Sequence, residues 1–436
     1  MIVNMKDLNH KNTIPESLDV RIEKLVYGGD GLARTEQGVI LVPYTVPGDS
    51  VRVSSIHKRK GVLRGKIQEI IHPSLYRVSP FCDNFLKGCG GCQWQNVDYL
   101  EQVRIKTEMV EESMERIGKQ TLRFPSLIHD PRFKETRLRS VFHVSHSRSE
   151  MGFYRFNTND IMPIHECPLC ASPINGILRT LQEDISSLES TYSLSIITNG
   201  KDTHLHLEGR RREKKEYLYE LYESLNHDRD CSIGISCSGQ RGDLLYLGLQ
   251  SIDFLTGEFK YLANARTFFQ GHRTLNGKLI EIIRNLVGEK KGTLLLDLFS
   301  GVSFLSIPVS SHFDRVVSID NEEESIRLAK ENAKLNGVTN MEFYKRDLGS
   351  KDCLSDITSV DVVILDPPRS GCPRILIEEL GRLNPSQIIM VSCNPATMAR
   401  DLRILINGGY EIISCHGIDL FPQTFHVETI VSLTKA

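Results

Sequence analysis

From about Leu262 onward the chain alternates short apolar segments with helical ones, and few folds tolerate such a pattern. TLLLDLF, RVVSID, DVVILDPP and QIIMVSCNP are apolar runs that each stop at an acid, a proline or a glycine turn. Runs of that length read as strands buried on both faces, and the helices between them supply the cover. The pattern predicts an α/β unit over 262–436, a parallel sheet wound on both faces with ligands at the carboxyl ends of its strands.

The first part of the chain reads differently. Between Leu18 and Ile71 the segments DVRIEKLV, GVILVPYTV, DSVRVSSI and RGKIQEII are broken by Gly28-Gly29-Asp30-Gly31 and by Pro47-Gly48. About five short strands at this spacing suit a small barrel of the oligonucleotide-binding type. A helix is expected over 98–118, with Val103, Thr107, Val110, Met114 and Ile117 in one stripe and Gly118 as its stop. VFHVSH, SLSIITN, THLHLEG and LLYLGLQ mark a β-rich middle. The expected divisions are a polar tail over 1–16, a barrel over 17–72, a central domain over 73–261 and the wound sheet over 262–436.

The formal net charge is -2, so no global basicity announces nucleic acid. Local basicity does occur: His57-Lys58-Arg59-Lys60 with Arg64 and Lys66; Arg132, Lys134, Arg137 and Arg139; and Arg210, Arg211, Arg212, Lys214 and Lys215. Each could neutralise phosphates or could be a solvated face. No apolar run reaches the ~18 residues of a membrane span. The start, MIVNMKDLNHKN, has no secretory h-region. A cytoplasmic protein without membrane partners is expected. The eleven cysteines are odd in number. In a reducing compartment their clustering points to metal or catalysis rather than to disulfides.

Four places carry chemistry. The strand ending in Asp297-Leu298-Phe299 runs into Ser300-Gly301, and the next ends at Asp320. A carboxylate there can accept both ribose hydroxyls of a nucleoside cofactor, and Asp347, after a third strand, could receive an adenine amino group. A turn with one glycine is too bulky for a pyrophosphate but suits S-adenosylmethionine, which has none. Asp366-Pro367-Pro368-Arg369 must end its strand, because proline donates no ladder hydrogen bond. Asp366 could meet a uracil N3–H or the cofactor. Cys393 stands between a strand end and the helix ATMARDLRIL, where the helix dipole is expected to stabilise a thiolate. His426 and Glu428 are candidate bases facing one side of a strand.

With these residues in place, the chain resembles the RNA uridine-5-methyltransferase family over nearly its whole length. DPPRSG, VSCNPATMARDL and DLFPQTFHVE carry the resemblance, and GGDGLAR with VPYTVPGDSVRV is similar to a TRAM domain, an RNA-binding barrel. The resemblance implies a Rossmann-like methyltransferase domain, an N-terminal TRAM barrel and a β-rich central iron–sulfur domain. It implies S-adenosylmethionine as cofactor, held by Gln270, Phe299, Gly301, Asp320, Asp347 and Asp366. A [4Fe-4S] cluster is implied on Cys82, Cys89, Cys92 and Cys167, with Cys170 a rival for the last place and zinc the other metal such a set could hold. The sequence departs from the family in several places. Six residues separate Cys82 from Cys89 where five are commoner, Ser300 and Ser303 replace a cysteine and a glycine, Asp320 replaces glutamate, and His272 stands where F-Q-x-N has asparagine.

The chemistry implied is attack of Cys393 on C6 of a uracil, methylation at C5 and removal of the C5 proton by Glu428. The resemblance favours RNA as partner, 23S ribosomal RNA first and transfer RNA as the alternative, and a monomer. A 5-methylcytosine enzyme would carry a cysteine where this chain has Arg369. A non-catalytic RNA-binding module would not need Cys393 and Glu428 together.

Overall fold

The computed structural model describes residues 15–226, 232–289 and 291–435. All but the last two residues of the expected 1–16 tail lie outside the described residues. The chain forms two compact units: one holds the residues up to Met109 with Phe421–His426, the other Val110–Leu420 with Val427–Ala436.

The first unit carries β1 (Ser17–Arg21), β2 (Lys24–Leu25), β3 (Gly31–Thr35), β4 (Gly38–Val42), β5 (Ser50–Arg59) and β6 (Val62–His72). They form one sheet in the order β1-β5-β6-β4-β3-β2. The run DVRIEKLV yields two strands because it changes partner. Ile22 N–H still donates to Asp49 O, while Glu23 N–H donates to Leu32 O. Lys60 and Gly61, both at positive φ (49° and 84°), make the two-residue loop joining β5 to β6, the loop type that matches strand twist. Val20, Ile22, Ala33, Ile40, Val42, Val51, Val53 and Leu63 are buried together. At about 1.5–3 kcal/mol for each larger aliphatic side chain, this cluster fixes which face of each strand turns inward.

Asp49 ties the sheet to the segment beyond it. Fully buried, it accepts from Val46 N–H (2.6 Å), Ser74 N–H (2.8 Å) and the Arg77 guanidinium (3.1 and 2.5 Å). The cysteine-rich stretch after Arg77 holds the short α1 (Asp83–Leu86) and leads into α2 (Tyr99–Ser113). Lys106 on α2 is wholly buried and donates to Phe421 O (2.9 Å), so its charge is spent inside. The helix ends in a wide π turn, Met114–Gly118, with Lys119 left-handed beyond it. That turn shifts the phase of the expected stripe: Val103, Val110 and Met114 are buried, but Ile117 is exposed.

In the second unit β7 (Arg139–Ser145), β8 (Glu150–Tyr154), β9 (Ile161–Pro163), β10 (Thr191–Thr198), β11 (Thr203–Gly209), β12 (Ile233–Ser238) and β13 (Leu244–Gly248) form a sheet ordered β13-β12-β11-β10-β7-β8-β9. It carries α3 (Ser172–Glu183) and α4 (Lys215–Asn226), and a hairpin of β14 (Ile252–Thr256) and β15 (Phe259–Ala263) comes next. Then α5 (Asn276–Val287), β16 (Gly292–Leu298), β17 (Phe313–Asp320), α6 (Glu323–Leu335), β18 (Met341–Lys345), β19 (Val362–Leu365), α7 (Arg374–Leu383), β20 (Gln387–Ser392), α8 (Pro395–Asn407), β21 (Tyr410–Ile418) and β22 (Glu428–Lys435) build the second seven-stranded sheet. Its order is β18-β17-β16-β19-β20-β22-β21. The first five are parallel, as the sequence predicts, and β22 inserts antiparallel between β20 and β21. The direction of winding reverses between β16 and β19, and the crevice beyond their carboxyl ends is where such sheets bind ligands. No described helix is long and apolar enough to cross a membrane.

Replacing Asp49 by Ala would take the carboxylate from the partly buried Arg77 guanidinium, which keeps only Tyr44 O (3.0 Å), and the acceptor from two N–H groups. The expected loss is about 3 kcal/mol from the first unit. Urea unfolding followed through the fluorescence of Trp94, the single tryptophan, measures it; an unmoved midpoint would refute the role given to Asp49.

Candidate active site

The turn after β16 is built for close approach. Phe299, Gly301 and Ser303 all take positive φ (60°, 53° and 61°). Gly301 N–H donates to Asp320 Oδ2 (2.8 Å), and Glu322 N–H to Oδ1 (2.9 Å). Each oxygen of Asp320 keeps a lone pair, and the residue is half-buried at the end of β17. A Cβ on Gly301 would have only Phe268 O near it, at 3.8 Å, so the space over the turn is open. Phe269 is buried against Phe254, Tyr261 and Phe304, and the following Gln270, also buried, has its carbonyl held by Asn276 Nδ2 (2.8 Å). Asp347 lies exposed beyond β18, where Gly349 N–H donates to it (2.8 Å). This constellation fits a nucleoside-bearing cofactor. It offers carboxylates for hydroxyls and an open glycine turn, and no nest for phosphate.

The neighbouring strands bring the reactive groups together. Asp366 follows β19 and Cys393 follows β20. β22 runs antiparallel to β20 and pairs Ser392 with Thr429. One further step of that register sets Cys393 against Glu428, which is only 2 % exposed. Burial pushes the Glu428 carboxyl well above its ordinary range, Asp366 adds to the push and Arg369 opposes it. Asp366 is raised by burial and by Asp297. Asp297, buried in β16 and hydrogen-bonded by Ser306, is itself pushed up to about 7, chiefly by burial.

The expectation of a thiolate stabilised by the α8 dipole is corrected here. The Cys393 thiol is pushed up to about 11 by burial first, then by the charge of Glu428, with Asp366 adding to it. Arg369 alone opposes this, by its charge and by a hydrogen bond to the thiol. Burial and neighbouring acids both disfavour the charged form of a thiol. Arg369 went unremarked as a site residue in the sequence; the signal was its position as the one cation in DPPRSG.

The loop carrying Arg369 is pinned to the head of α8. Asn394 caps the helix through Oδ1, accepting from Ala396 N–H (3.1 Å), and its Nδ2 holds Arg369 O (2.9 Å). Thr397 Oγ1 reaches the same carbonyl (3.3 Å). Gly371 has φ +80°, and a Cβ there would lie 2.4 Å from Arg400 Nη2 and 2.6 Å from Asp401 Oδ2. Only glycine lets the loop pass that close.

The other expected sites fall out unevenly. Cys82, Cys89 and Cys92 belong to the first unit and Cys167 to the second. Among the described residues no group of three or more His, Cys, Asp or Glu is arranged to hold a metal. Cys167 is hydrogen-bonded to Cys170, the other candidate for the last ligand. Their mutual hydrogen bond lowers the Cys167 thiol, helped by Arg137, and raises that of Cys170. His426 belongs to the first unit, against Phe425 (4.1 Å between ring centroids) and Tyr27 (6.1 Å). Of the basic clusters, the second is split: Arg139 is largely buried and reaches Ala265 O (3.3 Å), while Arg132 and Lys134 are exposed, Arg132 paired with Asp130. Arg64 pairs with the buried Asp30 (2.6 Å), while His57, Lys58, Arg59 and Lys60 stay exposed around the β5–β6 turn.

A thiol that titrates near 11 leaves on the order of one molecule in 10⁴ as thiolate at pH 7. Alkylation of Cys393, followed on its own peptide by mass spectrometry, should climb about tenfold per pH unit from 7 to 10. Arg369→Gln should slow it at every pH, because the one opposing cation is gone. A plateau below pH 9 would contradict these electrostatics.

The comparisons with known proteins agree with this geometry. Residues 98–436 match the model of the tRNA (uracil-5-)-methyltransferase family, and residues 18–75 match the TRAM domain of tRNA (uracil(54)-C(5))-methyltransferase. An uncharacterized RNA methyltransferase of Aquifex aeolicus is 30% identical over 441 residues, covering 95% of this chain and 98% of its own. One from Nostoc is 28% identical over 96% of both chains. The crystal structure of Pyrococcus abyssi tRNA (uracil-54, C5)-methyltransferase in complex with S-adenosyl-L-homocysteine superposes with a TM-score of 0.74 at 25% identity, over 95% of this chain and 99% of that one. With the wound sheet, its open glycine turn and the thiol set against a buried acid, the chain belongs to the tRNA (uracil-5-)-methyltransferase family and carries a TRAM domain ahead of the matched region.

Proposed function

We propose that this enzyme moves a methyl group from S-adenosylmethionine to C5 of a uridine in RNA, with Cys393 as nucleophile and Glu428 as base. The observation that carries the reading is the pairing of Ser392 with Thr429, beyond which Cys393 and buried Glu428 interact electrostatically, with Asp366 and Arg369 acting on both. Gln270, Phe299, Gly301, Asp320, Asp347 and Asp366 would hold S-adenosylmethionine, which would supply an electrophilic methyl on its sulfonium.

The residues divide the work by their chemistry. Uracil C5 is a poor nucleophile until a thiolate adds to C6. The S–C6 bond forms, the C5–C6 π pair moves toward the C4 carbonyl, and C5 can then take a methyl. Arg369 offsets the charge of the attacking sulfur. Glu428 then takes the C5 proton; the electrons of that C–H bond reform C5=C6, and the S–C6 bond breaks to return the Cys393 thiolate. Burial makes Glu428 a stronger base than a surface carboxylate, which suits abstraction from carbon. The target base must leave its stack, at a cost of a few kcal/mol, and loops make this cheaper.

For the substrate, the matching family and the Pyrococcus enzyme are both named for transfer RNA. That supports a transfer RNA over the ribosomal RNA expected from the sequence, which has no comparable support. Methylation of unmodified transfer RNA set beside large-subunit RNA fragments decides between them. An iron–sulfur cluster on Cys82, Cys89, Cys92 and Cys167 rests on the Cys89-Gly90-Gly91-Cys92 clamp and on the resemblance. The methyl transfer needs no electron, so no step passes through it. Anaerobically purified protein should contain iron and acid-labile sulfide; stoichiometric zinc, or no metal, would end that reading.

Cys393→Ala should lose both turnover and any covalent RNA complex. Glu428→Gln should still form the adduct and accept methyl, then stall. It should accumulate a protein–RNA species that survives a denaturing gel, because elimination waits on the C5 proton. RNA containing 5-fluorouridine should trap the unaltered enzyme in the same way. Methylation by Cys393→Ala would overturn the covalent route, and normal turnover by Glu428→Gln would move the base elsewhere, with His426 the next candidate.

A further inference from the structure

The basic run Arg210-Arg211-Arg212-Glu213-Lys214-Lys215 hides one acid, and that acid organises the rest. Glu213 is 3 % exposed. Its carboxylate accepts from Ser190 N–H (2.9 Å), Thr191 N–H (2.7 Å), Thr191 Oγ1 (2.6 Å) and Glu189 N–H (3.2 Å). Arg211 N–H donates to Ser190 Oγ (2.9 Å) and Arg210 N–H to Ser190 O (3.2 Å). The run is thereby fixed to the start of β10. The turn between β12 and β13 closes on it from the other side. Gln240 N–H donates to Arg210 O (3.4 Å), and a Cβ on Gly239 would lie 2.8 Å from Arg212 N and 3.0 Å from Arg211 C. This close approach brings Arg241, 31 residues away in sequence from Arg210, to the same end of the sheet.

Not every charge there is available. Lys214 pairs with Glu189 (2.5 Å), which Arg211 also influences, and Arg212 lies 3.9 Å from Asp243. Arg210, Arg211, Lys215 and Arg241 are exposed and make no ion pair among the described residues. We propose that this rim, held rigid by Glu213, is a contact surface for the phosphate backbone of the substrate RNA. The proposal rests on RNA being the substrate. A buried carboxylate that fixes the backbone of a cationic run removes the ordering cost that flexible cations would pay on binding. Arginine in turn matches phosphate with two parallel donors.

The test is the salt dependence of binding, read by fluorescence anisotropy with full-length protein. A target RNA and an unrelated RNA of equal length serve as probes. Removing three phosphate contacts with Arg210→Gln, Arg211→Gln and Arg241→Gln should reduce the slope of log K against log salt by about 2. Both RNAs should weaken alike. A control with three exposed cations removed elsewhere, Arg284→Gln, Lys330→Gln and Arg374→Gln, carries the same change in net charge and should keep the slope of the unaltered protein. An unchanged slope in the rim variant, an equal fall in the control, or a loss confined to the target RNA would each overturn the proposal. If the triple variant does not fold, Arg241→Gln alone, on an exposed turn, should lower the slope by about 0.7. Unaltered protein that binds RNA but transfers no methyl group would sink the functional reading and leave the rim standing.

Discussion

The site depends on one register. β22 could have paired beside β20 in any of several alignments, but a slip of one residue turns every side chain of a strand to the opposite face. The pairing of Ser392 with Thr429 fixes Glu428 against Cys393 and at the same time buries Ile430 and Leu433 in the sheet. The strand is buried on both faces, so its packing holds it in the sheet while the ladder to β20 sets the alignment that the chemistry at its end requires. An antiparallel strand is needed for this, because only a chain arriving from the carboxyl edge can begin with its first residue in the crevice.

The electrostatics come from crowding acids around a thiol. Burial raises Asp297, Asp366 and Glu428, and each of the three also raises a neighbour. Arg369 opposes the shifts of Glu428 and of the Cys393 thiol, from a loop that Asn394 and Gly371 hold in place. The ground state is therefore one in which the nucleophile keeps its proton. Such a site protects a cysteine from oxidation and alkylation while no substrate is present, since reactivity tracks thiolate content.

Much of this is legible in the sequence. The alternation after Leu262 predicts the parallel sheet, and the strand-end positions of Asp320, Asp366 and Cys393 follow from where the apolar runs stop. What could not be read is whatever depends on distant neighbours. The position of Cys393 before a helix suggests a low-titrating thiol; the opposite shift comes from burial and from Glu428, 35 residues on in sequence and adjacent only through pairing. The stripe on the 98–118 helix predicts Ile117 inside, and one wide turn puts it outside. The cluster at Arg132–Arg139 resembles the other basic clusters, yet Arg139 is used up inside the fold, because composition carries no information on direction.

The segment Phe421–His426 lies between two strands of the second unit but packs as part of the first. Gln423 exchanges hydrogen bonds with Gln102 across 321 positions, and its carbonyl accepts from Gln93 and Trp94. The chain therefore crosses between its units three times, and the N-terminal unit cannot complete its interior until a piece made hundreds of residues later arrives. Closing so long a loop costs little extra entropy, since the cost grows only as the logarithm of length. It does cost time, because contacts of such separation form slowly. The segment beyond the six-stranded sheet would spend that interval incomplete, with Trp94 and Gln102 awaiting their partners, so a chain released early from synthesis would carry every strand of that sheet and still lack a finished first unit.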